Sequence, residues 1–204
     1  MSPMIPDPEA YFRQFVPPRD DLLLELESEA AKEEIPIVGP VVGELLFLLA
    51  RITHAKRILE LGTATGYSAI CLARTFQHSE GQLVTLEADE GMAKRAQVNF
   101  QKAGLANCID VRVGDALKEM SGMDEPFDFI FMDIDKEYYI HVLDHCRRLL
   151  KPGGLLLADN VGFKDAADFN RSIFDDPHWK CVHLHAFLPQ HSPEKDGLCL
   201  AIRL

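Results

Sequence analysis

The stretch ILELGTATGYSAI, residues 58–70, joins an apolar run, two glycines and a helix-forming segment. The run has the length of a strand, and Gly62 and Gly66 follow it directly. Such a turn lets backbone N–H groups and a helix N-terminus approach a ligand closely. The dinucleotide-binding pattern G-x-G-x-x-G is not matched, because Ala64 stands where its second glycine would be. The stretch therefore predicts a strand, a turn and a helix, either as a plain connection or as a cofactor loop.

Short apolar runs and stretches of helical length alternate through most of the remaining chain. The predicted strands are 57–61, 82–87, 109–113, 127–133 and 154–160, and the helices between them are 66–76, 89–103, 115–122 and 137–151. This alternation predicts an α/β fold with a parallel sheet covered on both faces. The last two runs, 179–188 and 197–204, are separated only by a loop and predict an antiparallel hairpin. The expected sheet has about seven strands.

The N-terminal quarter of the chain has a different, helical pattern over residues 8–53. The segment 20–34 starts with two acids, which favour a helix N-terminus, and 41–54 is apolar all round, which predicts a buried helix. We expect a single domain in which a helical extension, 1–54, precedes a core, 55–204.

Composition narrows the function classes. The chain has 204 residues and a formal net charge of −11, so its surface repels nucleic acid and anionic membranes at long range. Its five cysteines form no Cys-x-x-Cys pair, which indicates reduced thiols in a cytosol. The N-terminal sequence MSPMIPDPEAYF lacks the basic and apolar regions of a signal peptide. We expect a cytoplasmic protein that binds neither nucleic acid nor membrane.

Acidic residues follow the second and third predicted strands. Glu87 ends the second strand, 25 residues after Gly62, where a carboxylate can accept hydrogen bonds from ribose hydroxyls. Asp89 is the better candidate for the N-cap of the next helix. Asp115 ends the third strand, where an adenine edge could lie. Together with the glycine turn, these strand-end residues favour a nucleoside cofactor without a pyrophosphate, namely S-adenosylmethionine.

In these features the sequence resembles the cation-dependent O-methyltransferases that include the catechol and caffeoyl-coenzyme A O-methyltransferases. The resemblance runs from about residue 40 to the C-terminus. It rests on AKRILELGTATGYSAICLA (55–73), VTLEAD (84–89), GDAL (114–117), FDFIFMDIDKEYY (127–139), LLKPGGLLLADNV (149–161) and DGLCLAIRL (196–204). It implies a Rossmann-like class I methyltransferase fold and methyl transfer from S-adenosylmethionine to a hydroxyl of a small aromatic vicinal diol.

The resemblance also implies which residues contact the cofactor. They would be Glu60 and Ser68 at its amino-acid end, Gly62, Gly66 and Tyr67 along the loop, Glu87 at the ribose hydroxyls, Asp115 and Ala116 beside the adenine, and Asp133.

By the same resemblance, Asp133, Asp159 and Asn160 would bind a divalent cation, expected to be Mg²⁺, and Lys136 would be the catalytic base. The chemistry agrees with this assignment. Asp133 ends the fourth predicted strand and the Asp159-Asn160 pair ends the fifth, so their oxygens converge at one edge of a parallel sheet. A hard cation on oxygen ligands lowers the pKa of a bound hydroxyl and fixes its oxygen. Asp135 is expected to cap the following helix instead.

Three other interpretations compete with this one. His141 and His145 have a zinc-binding spacing, but no glutamate follows the first, so we interpret them as an exposed helix face. A nucleotide-linked oxidoreductase would fit an α/β sheet, but the missing glycine pattern disfavours it. A non-catalytic S-adenosylmethionine-binding regulator would not need the metal ligands or Lys136.

Substrate-side segments depart from the family's pattern. The segment after Asn160 is short, with Phe163 as its aromatic candidate, and the loop 189–197 looks long. Methyl-transfer chemistry is therefore more securely predicted than the substrate. Relatives are commonly homodimers, so a homodimer is expected, with the N-terminal helices as the candidate contact.

Overall fold

The computed structural model of the chain describes residues 3–77 and 80–204, so the first two residues of the predicted N-terminal extension lie outside it. Its strands are β1 Arg57–Leu61, β2 Gln82–Glu87, β3 Ile109–Val113, β4 Phe127–Met132, β5 Leu150–Ala158, β6 Trp179–Phe187 and β7 Lys195–Arg203. They form one sheet with the order β3-β2-β1-β4-β5-β7-β6. The first five strands pair in parallel, and β7 pairs antiparallel with both β5 and β6. The predicted seven-stranded α/β fold with a C-terminal hairpin is confirmed.

Helices lie between the strands and before β1. They are α1 Pro8–Phe12, α2 Asp21–Glu33, α3 Gly39–Ile52, α4 Tyr67–Ala73, α5 Glu90–Lys102, α6 Ala116–Ser121, α7 Tyr139–Leu149 and α8 Ala167–Asp175. Within the two described ranges, none of these helices has the length and apolar content needed to cross a membrane.

Two helix predictions need correction. The sequence pattern gave no helix between the fifth and sixth strands, yet α8 lies there and buries Phe169 and Ile173, which are four residues apart. The segment 41–54 was expected to be a helix buried on all sides. Instead, Leu48 and Ile52 of α3 are 47% and 70% exposed, because only one side of this helix packs against the core.

The core consists of two apolar clusters, one on each face of the sheet. Alternate residues of β4 divide between them, so that Phe129 and Phe131 belong to one cluster and Ile130 and Met132 to the other. This is the period of two expected of a strand buried on both faces. Helices α2, α3 and α4 contribute to the first cluster and α7 and α8 to the second. Helices α2 and α3 of the N-terminal extension thus share a core with the sheet, and the division into an extension, 1–54, and a core, 55–204, stays a prediction.

The glycine turn after β1 lies directly against the end of β4. Gly62 has φ +95°, and a Cβ atom at this position would overlap the backbone carbonyl oxygen of Asp133. The backbone N–H of Asp133 donates to the carbonyl of Leu61 at 2.9 Å. Gly66 has φ +89°, and a Cβ atom there would overlap the ring of Phe100. The fold itself therefore requires glycine at both positions, whether or not a cofactor binds there.

This close approach predicts different costs for two glycine-to-alanine substitutions. Gly104 also has a left-handed backbone, φ +69°, but nothing lies within 4 Å of its Cβ position. Gly104→Ala should lower the free energy of unfolding by about 1 kcal/mol, the cost of the backbone strain alone. Gly62→Ala should lower it by a further ~2 kcal/mol or more, because the backbone of β4 must move. Urea unfolding measures both values, and equal losses would contradict the packing role of Gly62.

Candidate functional site

A cavity of about 620 Å³ opens at the carboxyl ends of β1, β2, β4 and β5. All but two of the residues predicted for the site line it, namely Gly62, Tyr67, Ser68, Glu87, Asp115, Ala116, Asp133, Lys136, Asp159 and Asn160. Glu60 and Gly66 do not. The topology places these residues together because strand ends that are distant in sequence meet at one edge of a parallel sheet.

Glu87 connects the glycine turn to the end of β2. Its Oε2 accepts hydrogen bonds from the backbone N–H groups of Thr63 at 3.2 Å and Ala64 at 2.8 Å. Its Oε1 accepts one from the backbone N–H of Asp89 at 2.9 Å. A carboxylate has about four acceptor positions, so Glu87 keeps acceptor capacity for a ligand. Asp89 caps α5 by accepting from the N–H of Met92 at 2.7 Å, as predicted.

Asp115, at the end of β3, both lines the cavity and caps the following helix. It lines the cavity, and its Oδ1 accepts a hydrogen bond from the backbone N–H of Lys118 at 3.0 Å, which caps α6. This cap holds its carboxylate at the end of β3, where the adenine of the cofactor is expected to lie.

Glu60 is completely buried in the sheet rather than at the cavity wall. The hydroxyl of Thr85 donates to its Oε2 at 2.5 Å, and no hydrogen-bond partner for its Oε1 occurs in the described part of the chain. Burial raises the pKa of Glu60 to about 8, although the bond from Thr85 acts in the opposite direction. Its predicted contact with the cofactor remains a prediction.

Two carboxylates occupy neighbouring strand ends at the other end of the cavity. Asp159 is fully buried, and the side chain of Asp133 is 24% exposed. Burial and the charge of Asp159 raise the pKa of Asp133, although Lys136 and His191 oppose this shift. The Nζ of Lys136 donates to Asp133 Oδ1 at 2.9 Å. Lys136, the expected catalytic base, therefore forms an ion pair with one of the candidate metal ligands.

Asn160 follows Asp159 with a left-handed backbone, φ +51°, which asparagine tolerates better than most residues. Its Nδ2 donates to Asp196 Oδ2 at 2.6 Å and to the carbonyl of Ser192 at 3.3 Å. Both amide hydrogens thus have acceptors, and Oδ1 remains available to accept.

The donor set fits a hard divalent cation. Two carboxylates and an amide oxygen, from Asp133, Asp159 and Asn160, are the ligand types that Mg²⁺ and Ca²⁺ prefer. In residues 3–77 and 80–204, no group of three His, Cys, Asp or Glu side chains forms a metal site. The candidate site therefore depends on the amide of Asn160.

His191 is a site residue that the sequence did not reveal. It lies in the loop between β6 and β7, and its side chain is 2% exposed. Its Nε2 is 2.8 Å from Asp159 Oδ2, and its Nδ1 is 2.7 Å from the carbonyl oxygen of Pro193. Burial is the largest single influence and lowers its pKa. The hydrogen bond and charge of Asp159, the Pro193 carbonyl and the charge of Asp133 together outweigh it, so the pKa lies above its usual value. No spacing pattern links a loop histidine to an aspartate 32 residues earlier.

Tyr139 was missed as well. Its buried hydroxyl lies 3.2 Å from the carbonyl oxygen of Met132 and 2.9 Å from that of Asp159, so it bridges the ends of β4 and β5. Lys136 Nζ lies 5.8 Å from the centre of its ring, and Phe169 of α8 packs edge-on against it. The buried hydroxyl of Tyr139 thus links the two strand ends that carry the candidate metal ligands.

The prediction for Asp135 was only half right. Asp135 begins the helical turn before α7, where its carbonyl accepts from the N–H of Tyr138 at 3.0 Å. Its side chain, however, makes no capping hydrogen bond within the described residues, and α7 itself begins at Tyr139.

The outer wall of the cavity comes from segments without a recognisable motif. Its residues include Pro36, Ile37, Val38, Tyr138, His141 and Ser192. His141 lies on an exposed helix face, as expected, and it also borders the cavity. His145 instead contacts Arg148, with 3.4 Å between ring Nδ1 and guanidinium Nη2.

Comparison with known proteins gives the site its context. A family model described as O-methyltransferase matches residues 17–184. A catechol O-methyltransferase from Niastella koreensis is 42% identical over 148 residues, which cover 70% of this chain and 66% of that protein. A catechol O-methyltransferase from Mycobacterium tuberculosis is 36% identical over 163 residues, covering 78% of this chain and 74% of that protein.

A solved structure agrees over nearly the whole chain. An O-methyltransferase from Bacillus cereus, crystallised in complex with SAH, has a TM-score of 0.86 and 32% sequence identity, with 96% of each chain covered. The predicted resemblance is confirmed by these matches and by the fold. The chain belongs to the O-methyltransferase family that includes the catechol and caffeoyl-coenzyme A O-methyltransferases.

Proposed function

We propose that this protein is an S-adenosylmethionine-dependent O-methyltransferase that uses a divalent cation and acts on a hydroxyl of a small aromatic vicinal diol. One observation carries the proposal. A single cavity connects the glycine turn at Gly62 with the oxygen donors Asp133, Asp159 and Asn160. A methyl donor and an acceptor hydroxyl must meet within such a space for in-line transfer, and a cation would be held there by these three donors.

Relatives and residues both support the cofactor. The Bacillus cereus structure was solved with SAH. In this chain, Gly62 and Ser68 line the inner end of the cavity, Glu87 keeps acceptor capacity, and Asp115 stands at the far wall. When bound, S-adenosylmethionine supplies the methyl group, and a cation such as Mg²⁺ supplies positive charge that favours an ionised hydroxyl.

Lys136 is the candidate base. Its Nζ lies at the cavity between Asp133 Oδ1, at 2.9 Å, and the ring of Tyr139. The ion pair requires the ammonium form of Lys136, so Nζ would have to lose a proton before it could accept one from a hydroxyl held beside the candidate metal ligands. Asp133 positions Nζ through this ion pair, and Ile37 and Val38 add apolar surface to the cavity wall.

The names of the relatives and the size of the site support the proposed substrate class. The relatives carry the names catechol and caffeoyl-coenzyme A O-methyltransferase. A cavity of about 620 Å³ must hold the cofactor and the acceptor together, which favours a small acceptor. A vicinal diol suits a site in which Asp133, Asp159 and Asn160 would hold a cation, because its two adjacent oxygens are ligands of the same hard type.

The non-catalytic alternative is disfavoured by the completeness of the site. A protein that only binds S-adenosylmethionine does not need Asp133, Asp159, Asn160 and Lys136 together at its cavity. The oxidoreductase alternative has no support from the relatives.

The first test is a methyl-transfer assay with catechol and caffeoyl esters, with Mg²⁺ and with EDTA. We expect turnover with Mg²⁺ and its loss in EDTA. Lys136→Met should lower kcat by about 10²-fold or more while binding of S-adenosylhomocysteine is unchanged, because general-base catalysis contributes at this level. Lys94→Met, at an exposed lysine of α5 that does not line the cavity, is the matched control.

Each part of this assay has an outcome that would contradict the proposal. Full activity in EDTA would contradict the proposed metal dependence. Full activity of Lys136→Met would contradict the role of Lys136 as the catalytic base. Binding of S-adenosylhomocysteine without turnover of any diol would favour the non-catalytic alternative.

Glu60 should make the free energy of unfolding of the protein without ligands decrease as pH rises. Its pKa is about 8 in the folded chain, against an ordinary value of 4.5. Between these values the folded chain holds a proton that the unfolded chain releases, so the free energy of unfolding falls, by up to about 1.4 kcal/mol per pH unit. Glu60→Gln removes this dependence, so its advantage in thermal stability over the wild type should grow from pH 5 to pH 8.

Thermal unfolding of both proteins at several pH values tests this expectation. The matched control is Glu44→Gln, at an exposed glutamate of α3. Parallel stability curves for the wild type and Glu60→Gln would show that Glu60 does not hold its proton near neutral pH.

We also propose a homodimer located in the cytoplasm. The cytoplasm is supported by the five cysteines, which are all free thiols. A dimer is supported by exposed apolar side chains on α3 and on the β6–β7 hairpin, namely Leu48, Ile52, Val182, Leu184 and Ile202. Exposed apolar side chains of this kind are typical of interfaces.

Analytical ultracentrifugation tests the dimer. The wild type should sediment as a dimer, and the double variant Leu48→Glu with Ile52→Glu should be a monomer. Phe174→Glu, at an α8 residue that is 70% exposed, should leave the dimer intact. A monomeric wild type at micromolar concentration would contradict the proposal.

A further inference from the structure

We infer that the β6–β7 loop, residues 188–194, forms a supporting layer of the metal site in which His191 is a positioning residue for Asp159. The inference rests on the proposed function, since it concerns how this chain holds its candidate metal ligands. It assigns a role to a loop that no motif in the sequence marks.

The hydrogen bonds of His191 point to this role. The imidazole lies between two oxygens, with Nδ1 2.7 Å from the carbonyl of Pro193 and Nε2 2.8 Å from Asp159 Oδ2. Its side chain is only 2% exposed, so it is not a surface histidine in a chance contact. A bond from one ring nitrogen to a backbone carbonyl fixes the ring, and the fixed ring then orients the carboxylate.

The same region also orients the neighbouring ligand. Asn160 Nδ2 donates to Asp196 Oδ2 at 2.6 Å and to the carbonyl of Ser192 at 3.3 Å. Asp196 is itself buried, and its Oδ1 accepts from the backbone N–H of Gly162 at 3.1 Å. Both ligands at the end of β5 are thus held by residues between 191 and 196.

Hydrogen bonds within the loop and contacts with the N-terminal part of the chain hold the loop in place. Within it, the N–H of Leu188 donates to the carbonyl of Glu194 at 2.7 Å, and that of His191 donates to the carbonyl of Leu188 at 3.0 Å. From outside, Arg13 binds both carboxylate oxygens of Glu194, at 2.7 and 2.6 Å. The Gly39 backbone packs so closely on Gln190 that a Cβ would overlap its carbonyl oxygen.

His191 acts through Asp159 and not as a ligand of its own. Its Nε2 already faces Asp159 Oδ2, and no His, Cys, Asp and Glu cluster of metal-binding geometry was found in the described residues. The expected consequence of its loss is a weaker hold on the cation, because supporting hydrogen bonds of this kind contribute about 10- to 100-fold in metal affinity.

Three substitutions of His191 separate its two hydrogen bonds. In His191→Gln, the side-chain amide can reach the position of Nε2 and keep the contact to Asp159. In His191→Asn, the amide reaches only the position of Nδ1, so the contact to Pro193 remains and that to Asp159 is lost. His191→Leu fills the space without any donor. The matched control is His185→Ala, at an exposed histidine of β6.

The measurement is binding of MnCl₂ alone to the full-length chain, by calorimetry and by the electron paramagnetic resonance of free Mn²⁺. We expect His191→Asn and His191→Leu to raise the Kd for Mn²⁺ by about tenfold or more. His191→Gln should stay within about threefold of the wild type, and His185→Ala should be unchanged. Binding of S-adenosylhomocysteine and the Tm report whether each variant is folded, and one folded variant of the Asn and Leu pair suffices.

The outcomes distinguish the two proposals. If the wild type binds Mn²⁺ and the Asn or Leu variant binds it equally well, the positioning role of His191 is wrong while the metal site stands. A wild type that binds no Mn²⁺ would overturn the metal-dependent function and this inference with it. Equal weakening in His191→Gln and His191→Asn would also overturn it, since the contact to Asp159 would not be what matters.

Discussion

The burial of the Asp159 carboxylate beside Asp133 is the constraint on which the site depends. A carboxylate removed from water is costly unless charges and hydrogen bonds compensate for it. Asp159 is completely buried and receives the backbone N–H of Asn160 at 2.8 Å and the imidazole of His191 at 2.8 Å. Lys136 compensates for Asp133 from the other side. Two like charges can therefore stand on adjacent strand ends, ready for a cation that would replace part of this compensation.

The support of Asp159 also involves the N-terminal segment, which is distant in sequence. His191 can support Asp159 only if its loop is held, and the loop is held by the N-terminal segment through Arg13 and Glu194. The hydrogen bond from Arg13 lowers the pKa of Glu194 to about 2, so the pair stays ionised at any ordinary pH. Arg19 adds a contact to Gln190 at 3.2 Å. The helical extension is thereby a structural part of the site rather than an appendage to it.

What the sequence predicted follows from periodicity, and what it missed follows from long-range contact. Strand ends such as Asp133 and Asp159 could be identified because a parallel sheet brings carboxyl ends together. His191 and Tyr139 could not, since their roles depend on a loop conformation and on a ring buried under two strands. Helix α8 carried a weak signal in its buried pair four residues apart, but in a nine-residue segment this was too short to detect.

The glycine turn and the candidate metal edge form one structural unit. Gly62 must be glycine because the carbonyl of Asp133 lies where its Cβ would be, and the N–H of Asp133 is bound to Leu61. Glu87 ties the same turn to β2 through Thr63 and Ala64. A shift of the turn on cofactor binding would therefore move the end of β4 as well. Because the turn touches the end of β4 directly, the backbone holds the glycine turn and the candidate metal ligand Asp133 in a fixed relation, on which the proposed in-line transfer would rely.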